Sequence, residues 1–417
     1  MPRGLSLIAR FRSDRSGAVA LIFALSVISL FGIVGFAIDA SRAYSLSSRL
    51  SAVLDSAALA AAKLLDHENA TDAQVQERAI AMLNAHLGAL HVPGVTLGTP
   101  NVIPDRANSA VEINVDIVMP TSFAQVIGVP SFSFNRSSKV AFQQQRIELA
   151  LVLDVTGSMN SGGRLAAMKI AAKNVVDALI DPASAVQSRI SLVPYSAAVN
   201  VGTYKDIASG GDSLDGCVME RLYEPSRDTD DVSGGTRNFA VNGQLNSDTN
   251  SRYACPPAVM APLSNSPATL KDTIDSYGAA GWTAGHIGLA WGWNTISPNW
   301  ASVFTGGSAP GPYGDSRYIK AILLMTDGNF NTSYTAGTTD AEQTSESTAR
   351  TNALCSAIKA RNVIVYAVAF QAPVEAENLL RNCATSVQHF YDANNSAQLI
   401  AAFKAITDDL QQLRIMR

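Results

Sequence analysis

The stretch LVLDVTGSMNSGGRLAAMKIAAKNVVDALI, Leu151–Ile180, decides the fold. An apolar, strand-like run ends in Asp154, Thr156 and Ser158 at alternate positions around Gly157, and a helical repeat follows. The same rhythm recurs on either side. The apolar runs IELALVL (147–153), RISLVPYS (189–196), YIKAILLM (318–325) and NVIVYAVAF (362–370) alternate with helix candidates. Those candidates are LAAMKIAAKNVVDALI, Thr283 to Ile296, DAEQTSESTARTNALCSAIKAR and a closing helix from Ser396 to Leu413. Buried strands alternating with helices predict an α/β fold, a Rossmann-like, doubly wound and mostly parallel sheet with helices on both faces.

In open sheets of this kind ligands bind outside the carboxyl ends of the strands. Asp154 stands at such an end, with Thr156 and Ser158 able to point oxygens at the same centre while Gly157 relieves the backbone. LLMTDGNF repeats the arrangement and offers Asp327; GWTAGHIGLAWGW places Thr283 at a helix start, its hydroxyl free. Carboxylates and hydroxyls without His or Cys are hard donors, suited to Mg²⁺, Mn²⁺ or Ca²⁺ and unsuited to zinc or copper. Two carboxylates and three hydroxyls leave an octahedral ion unsaturated, so a partner's carboxylate or a water must complete the shell.

Taken singly, each piece has a plain structural explanation. TDG is a common turn, and Thr156, Ser158 or Thr283 can serve as a helix cap. Together and in this order they resemble the metal-ion-dependent adhesion site (MIDAS) of von Willebrand factor type A domains, which reads D-x-S-x-S, then a lone Thr, then an Asp commonly in T-D-G. Thr156 stands where the family has its first Ser, which keeps the hydroxyl and adds a methyl. The resemblance covers about Ile147 to Leu413. It implies a binding module that grips a partner's acidic residue through a divalent cation, Mg²⁺ first, held by Asp154, Thr156, Ser158, Thr283 and Asp327.

Enzyme readings lack their motifs: the chain has no G-x-S-x-G elbow, no G-x-x-x-x-G-K-[ST] loop and no H-E-x-x-H helix. Its five His are scattered, and His286, nearest the site, reads as a helix-surface or packed residue. The net charge of −4, with no basic cluster beyond the N-terminus, excludes nucleic acid as a partner.

The front of the chain is of another kind. Gly17–Ile38 holds 22 residues without a charge, which as a helix spans ~33 Å and matches a bilayer core. Arg3, Arg10, Arg12 and Arg15 precede it with only Asp14 opposing, so residues 1–16 are expected in the cytoplasm and the remainder outside it. The competing reading is a cleaved leader, with the small-x-small Gly35–Ala37 as its processing site. Apolar residues at Leu46, Leu50, Val53, Leu54, Ala57, Ala58, Ala61 and Leu65 carry one helix on from 17 to about 65. In AVEINVDIVMP, Val111, Ile113, Val115 and Ile117 then alternate as a strand.

Exported, the four cysteines meet an oxidising compartment. Of the three connectivities open to them, Cys217 with Cys255 and Cys355 with Cys383 close the shorter loops. The first pair would staple Thr203–Pro267, a Gly-, Ser- and Asp-rich stretch without periodicity, read as an insertion.

RSGAVALIFALSVISLFGIVGFAIDASRAY resembles the leader segment of TadE/TadG proteins of tight-adherence (Flp-type) pilus systems. Processed pseudopilins of those systems carry Glu at the fifth position after a Gly cleavage site, where this chain has Ile22, which argues for retention in the membrane. The expected organisation is a cytoplasmic 1–16, a transmembrane helix 17–38, its pilin-like extension 39–66, a small strand-containing region 67–146, and a von Willebrand A domain 147–417 with the insertion 203–267. The resemblances imply a single-pass protein of the inner membrane that binds protein partners of the pilus or secretion machinery and touches lipid through its first helix. A surface adhesin and a cleaved pilin-like subunit are the alternatives.

Overall fold

The computed structural model describes residues 16–66, 70–87, 94–106, 110–141, 145–182, 184, 186–241, 251–335 and 339–415. Arg3, Arg10, Arg12 and Arg15 lie outside them. The chain forms two compact units, Met1–Gln143 and Gln144–Arg417.

The first unit is built on α1, Ser16–Ala62, whose 47 residues span ~70 Å. Ile22, Phe23, Leu25, Ile28, Leu30, Phe31 and Ile33 are exposed along its first half. Its second half changes character: Leu46, Leu50, Leu54, Ala57, Ala58 and Ala61 are buried at helical spacing. They pack with α2, Asp72–Leu87, and with an antiparallel sheet. In that sheet β3, Ala110–Pro120, pairs along its length with β4, Ser131–Ala141, and on its other edge with β1, Thr96–Leu97, and β2, Asn101–Asp105. Val111, Ile113, Val115, Ile117 and Met119 alternate inward and are buried, the period of a half-buried strand.

The second unit is the doubly wound sheet. Its parallel strands run in the order β12 (Phe390–Ala393), β11 (Ile364–Phe370), β10 (Tyr318–Thr326), β5 (Arg146–Asp154), β6 (Arg189–Tyr195). Along the central β5, Leu149, Leu151 and Leu153 face α3 (Arg164–Leu179), α5 (Pro267–Asp275) and α9 (Ser396–Ile415). Ala150 and Val152 face α6 (Gly285–Ile296), α7 (Asp340–Ala360) and α8 (Val374–Cys383). Burial on both faces is why IELALVL shows no polar alternation. Its one charge, Glu148, is fully buried between Arg189 and Lys320. Cys355 and Cys383 are disulfide-bonded and tie α7 to α8.

The stretch expected as the insertion Thr203–Pro267 is shorter than that, because its end belongs to the sheet. β9, Ala261–Ser264, pairs antiparallel with β6, and α5 starts at Pro267. Four residues are too few to show a period. Before β9 the chain leaves β6 through β7 (Val199–Asn200), the short α4 (Lys205–Ser209) and β8 (Cys217–Val218), and a Cys217–Cys255 disulfide closes the excursion. Val218, Met219, Phe239 and Met260 join the apolar cluster of α6, with the Phe239 and Trp291 rings 4.7 Å apart. All twelve residues of α6 are consequently buried: the sheet covers one side and the excursion the other. Gly292 permits the close seat on the sheet, since a Cβ there would stand 2.3 Å from Val152 Cγ2.

Candidate metal site

Parallel neighbours end at the same sheet edge, and β5 and β10 pair in register from Ile319 with Ile147 to Met325 with Leu153. That pairing brings Asp154, the last residue of β5, beside Asp327, the first after β10. The Asp154 carboxylate is buried and accepts the Thr156 N–H on Oδ1 at 2.8 Å and the Thr326 hydroxyl on Oδ2 at 2.6 Å. Thr156 Oγ1 lies 3.0 Å from Ser158 Oγ, which donates to Asp327 Oδ1 at 2.5 Å. The two hydroxyls and the Asp327 carboxylate thus form one connected line of oxygens at the carboxyl edge of the sheet, with the Asp154 carboxylate tied to its Thr156 end through the backbone N–H.

Thr283 stands outside that line. The helix begins at Gly285 with Ala284 as its cap residue, so Thr283 precedes the cap. Its N–H donates to Asn331 Oδ1 at 3.0 Å and its carbonyl accepts the N–H groups of Asn331 and Thr332. The loop that carries Thr283 is nonetheless fastened to the motif: Gly157 N–H donates to Gly281 O and Ala280 N–H to Val155 O, both at 2.9 Å. The excursion braces this loop from behind, where Trp282 N–H donates to Arg252 O at 2.9 Å and Arg252 stacks on the Trp282 ring. Gly281 has φ +79° and a Cβ there would lie 2.5 Å from Ala254 O, so a side chain is excluded twice over.

Burial and a neighbouring carboxylate disfavour negative charge at this site. Burial, and then the nearby Asp327, push the Asp154 carboxyl up to about 7. Arg164, the first residue of α3, answers part of that charge: Nη1 donates to Asp327 Oδ2 at 2.8 Å and Nε to Gln371 Oε1 at 2.9 Å. Gln371 holds a left-handed φ of +51°, rare for a residue with a side chain, and follows directly on β11. Arg164 and Gln371 escaped the motif reading. One signal for Arg164 exists, since an arginine at a helix N-terminus opposes the helix dipole and needs a local reason.

Among the described residues no group of three or more His, Cys, Asp or Glu side chains gathers. The donor set here is two carboxylates with hydroxyls, which fits a hard divalent ion and offers no soft ligand to zinc or copper. His286 is buried, not on a helix surface, and pairs with Ser347 and with Glu220.

Residues 17–64 match the family model described as putative Flp pilus-assembly TadE/G-like. The match covers 48 of the 417 residues. The matched residues coincide with α1, from its exposed apolar half to its buried amphipathic half, and the second unit is a doubly wound α/β sheet. Among solved structures, the von Willebrand domain of the type V pili tip protein Mfa5 from Porphyromonas gingivalis is similar at 12% identity and TM-score 0.41, over 66% of this chain and 98% of that one. The pilus adhesin SpaC from Lactobacillus rhamnosus GG, in its open conformation, matches at 12% identity and TM-score 0.40, over 76% of this chain. The match spans 34% of SpaC, about a third of its length. Proximal thread matrix protein 1 from the mussel byssus, with a zinc-occupied MIDAS motif, matches at 17% identity and TM-score 0.34, over 64% of this chain and 48% of its own. No curated protein matches the chain.

Proposed function

We propose that this chain is a membrane-anchored, exported binding protein of Flp/Tad-type pilus assembly or secretion. Its von Willebrand A domain grips a partner carboxylate through a divalent cation. The observation that carries the reading is the line of oxygens from Thr156 through Ser158 to Asp327, with Asp154 behind it at the carboxyl edge of the sheet. Asp154, Thr156, Ser158 and Asp327 would hold the ion, with Thr283 reaching it directly or through water. The bound Mg²⁺, Mn²⁺ or Ca²⁺ supplies an open coordination position for a carboxylate oxygen. The protein's own part is preorganisation: Thr326 and the Thr156 N–H fix the Asp154 carboxylate, and Arg164 with Gln371 fixes that of Asp327.

Anchoring is supported by the exposed apolar half of α1, the one helix among the described residues long and apolar enough to cross a membrane. The proposed topology puts the N-terminus in the cytoplasm and the protein in the inner membrane.

The test is capture of a pilus-assembly partner from solubilised membranes, read beside calorimetric Mg²⁺ binding. Asp154→Ala and EDTA should each abolish capture, and together cost no more than either alone, because both act on one interaction. Asp154→Ala should leave the circular dichroism unchanged. Capture that survives both treatments overturns the metal bridge and moves attention to the 203–260 excursion. Fractionation separates this reading from the adhesin: an assembly factor stays with the inner membrane, whereas an adhesin reaches the cell surface.

A further inference from the structure

Within the first unit, the connection from β3 to β4, Thr121–Pro130, forms a short 3-10 turn over Ala124–Ile127 closed by a left-handed Gly128. TSFAQVIGVP contains no charged residue. Three of its apolar side chains are turned outward: Phe123 is 52% exposed, Ile127 52% and Val126 84%. A water-facing turn usually shows polar and turn-forming residues at such positions.

The place of the turn explains the composition. It lies on α1 at Gly32 and Gly35: a Cβ on Gly35 would meet Phe123 Cβ at 2.6 Å, and one on Gly32 would stand 3.3 Å from Ile127 Cγ2. The apolar run of α1 ends at Ile38, so Gly35 and Gly32 lie ~4.5 and ~9 Å inside it at ~1.5 Å per residue. The turn therefore sits level with the part of the helix read as membrane-embedded, where Ile28, Phe31 and Val34 are exposed.

Chain entering lipid must bring its own hydrogen-bond partners. Asp39, buried at the end of the apolar run, accepts the N–H groups of Ser122 at 3.1 Å, Phe123 at 2.8 Å and Ala124 at 2.9 Å. Val126, Gly128 and Val129 N–H groups bond to carbonyls within the turn, and the Thr121 hydroxyl donates to Val129 O at 2.5 Å. Arg42 donates to Ser122 Oγ at the polar side.

We propose that Thr121–Pro130 is a second membrane-inserting element, whose tip of Phe123, Val126 and Ile127 enters the acyl region of the leaflet on the side where α1 emerges. The occupant of this apolar surface is lipid, because the surface is continuous with the exposed face of α1. Helix and turn then hold the first unit at a fixed height and rotation on the membrane. The inference rests on the reading of Gly17–Ile38 as a membrane span, and its test separates the two.

No described cysteine is free, so a single added cysteine takes a nitroxide spin label selectively. The full chain is placed in phosphatidylcholine–phosphatidylglycerol vesicles with the label at Val126→Cys, at Ile28→Cys in the helix, or at the exposed Ser137→Cys on β4. Collision with oxygen, which partitions into lipid, is compared with collision with a water-soluble nickel chelate. Labels at Val126→Cys and Ile28→Cys should favour oxygen several-fold, and the Ser137→Cys label should favour nickel. Nickel preference at Val126→Cys with oxygen preference at Ile28→Cys overturns the inserted turn and leaves the membrane span standing. Nickel preference at both overturns the span and the inference with it. Shielding from both reagents at Val126→Cys shows that protein, not lipid, covers the turn, and overturns the proposal as well.

Discussion

Arg164 and Asp327, 163 residues apart, form a salt bridge of 2.8 Å at the rim of the oxygen line. Asp327 is buried while Arg164 is only partly so, which makes the arginine the movable partner. It offsets the repulsion between the two carboxylates; the proposed divalent ion would do the same and would compete with it.

Replacing Arg164 should therefore shift the balance toward the ion. Arg164→Ala is expected to lower the melting temperature in EDTA and to tighten Mg²⁺ or Mn²⁺ binding by roughly tenfold, the equivalent of ~1.4 kcal/mol. Calorimetric titration and melting with and without metal measure both effects. Weaker metal binding in the variant would show that Arg164 chiefly orients Asp327.

Glu220 pins the excursion to the body of the domain. It is buried against His286, Arg350 and Ser333, and accepts the Tyr334 N–H at 2.8 Å. Burial raises its carboxyl, but His286 and Arg350 outweigh that and hold it down at about 2. A depressed carboxylate contributes stability above its unfolded value of 4.5, and loses it as pH falls toward 2. Glu220→Gln should cost about 3 kcal/mol at pH 7, and the gap to the wild type should close between pH 4.5 and 2. Urea melts across that range decide it; a gap independent of pH would mean that shape rather than charge matters at this position.

The Cys217–Cys255 disulfide closes a separation of 38 residues next to the segment that braces the Thr283 loop. In the chain-entropy model its loss costs ~3–4 kcal/mol. The Cys217→Ala/Cys255→Ala double variant should melt lower, become sensitive to limited proteolysis within 203–260, and bind Mg²⁺ more weakly, because Arg252 holds the loop at Trp282. Unaltered metal affinity would show that the hydrogen bonds suffice without the covalent link.

Short-range geometry was legible in the amino-acid order. The spacing of Asp154, Thr156 and Ser158 is set within one turn of chain, and the mainly apolar runs of β5, β6, β10 and β11, without polar alternation, announce strands buried on both faces. The change along α1, from apolar on all sides to apolar on one, is likewise a local period. Long-range choices were not. That β9 closes the sheet edge depends on a four-residue strand finding β6, which no period encodes. That α6 is buried on every side depends on Phe239 and Met219 arriving from the excursion. Arg164 meets Asp327 and Gln371 only because β5, β10 and β11 stand side by side, and the Thr121–Pro130 turn meets Gly32 and Gly35 only because β3 and β4 pack on α1. Periodicity and spacing act over a few residues and so settle elements and motifs, whereas strand order and helix packing, which minimise exposed apolar surface across the whole chain, decide which distant residues become neighbours.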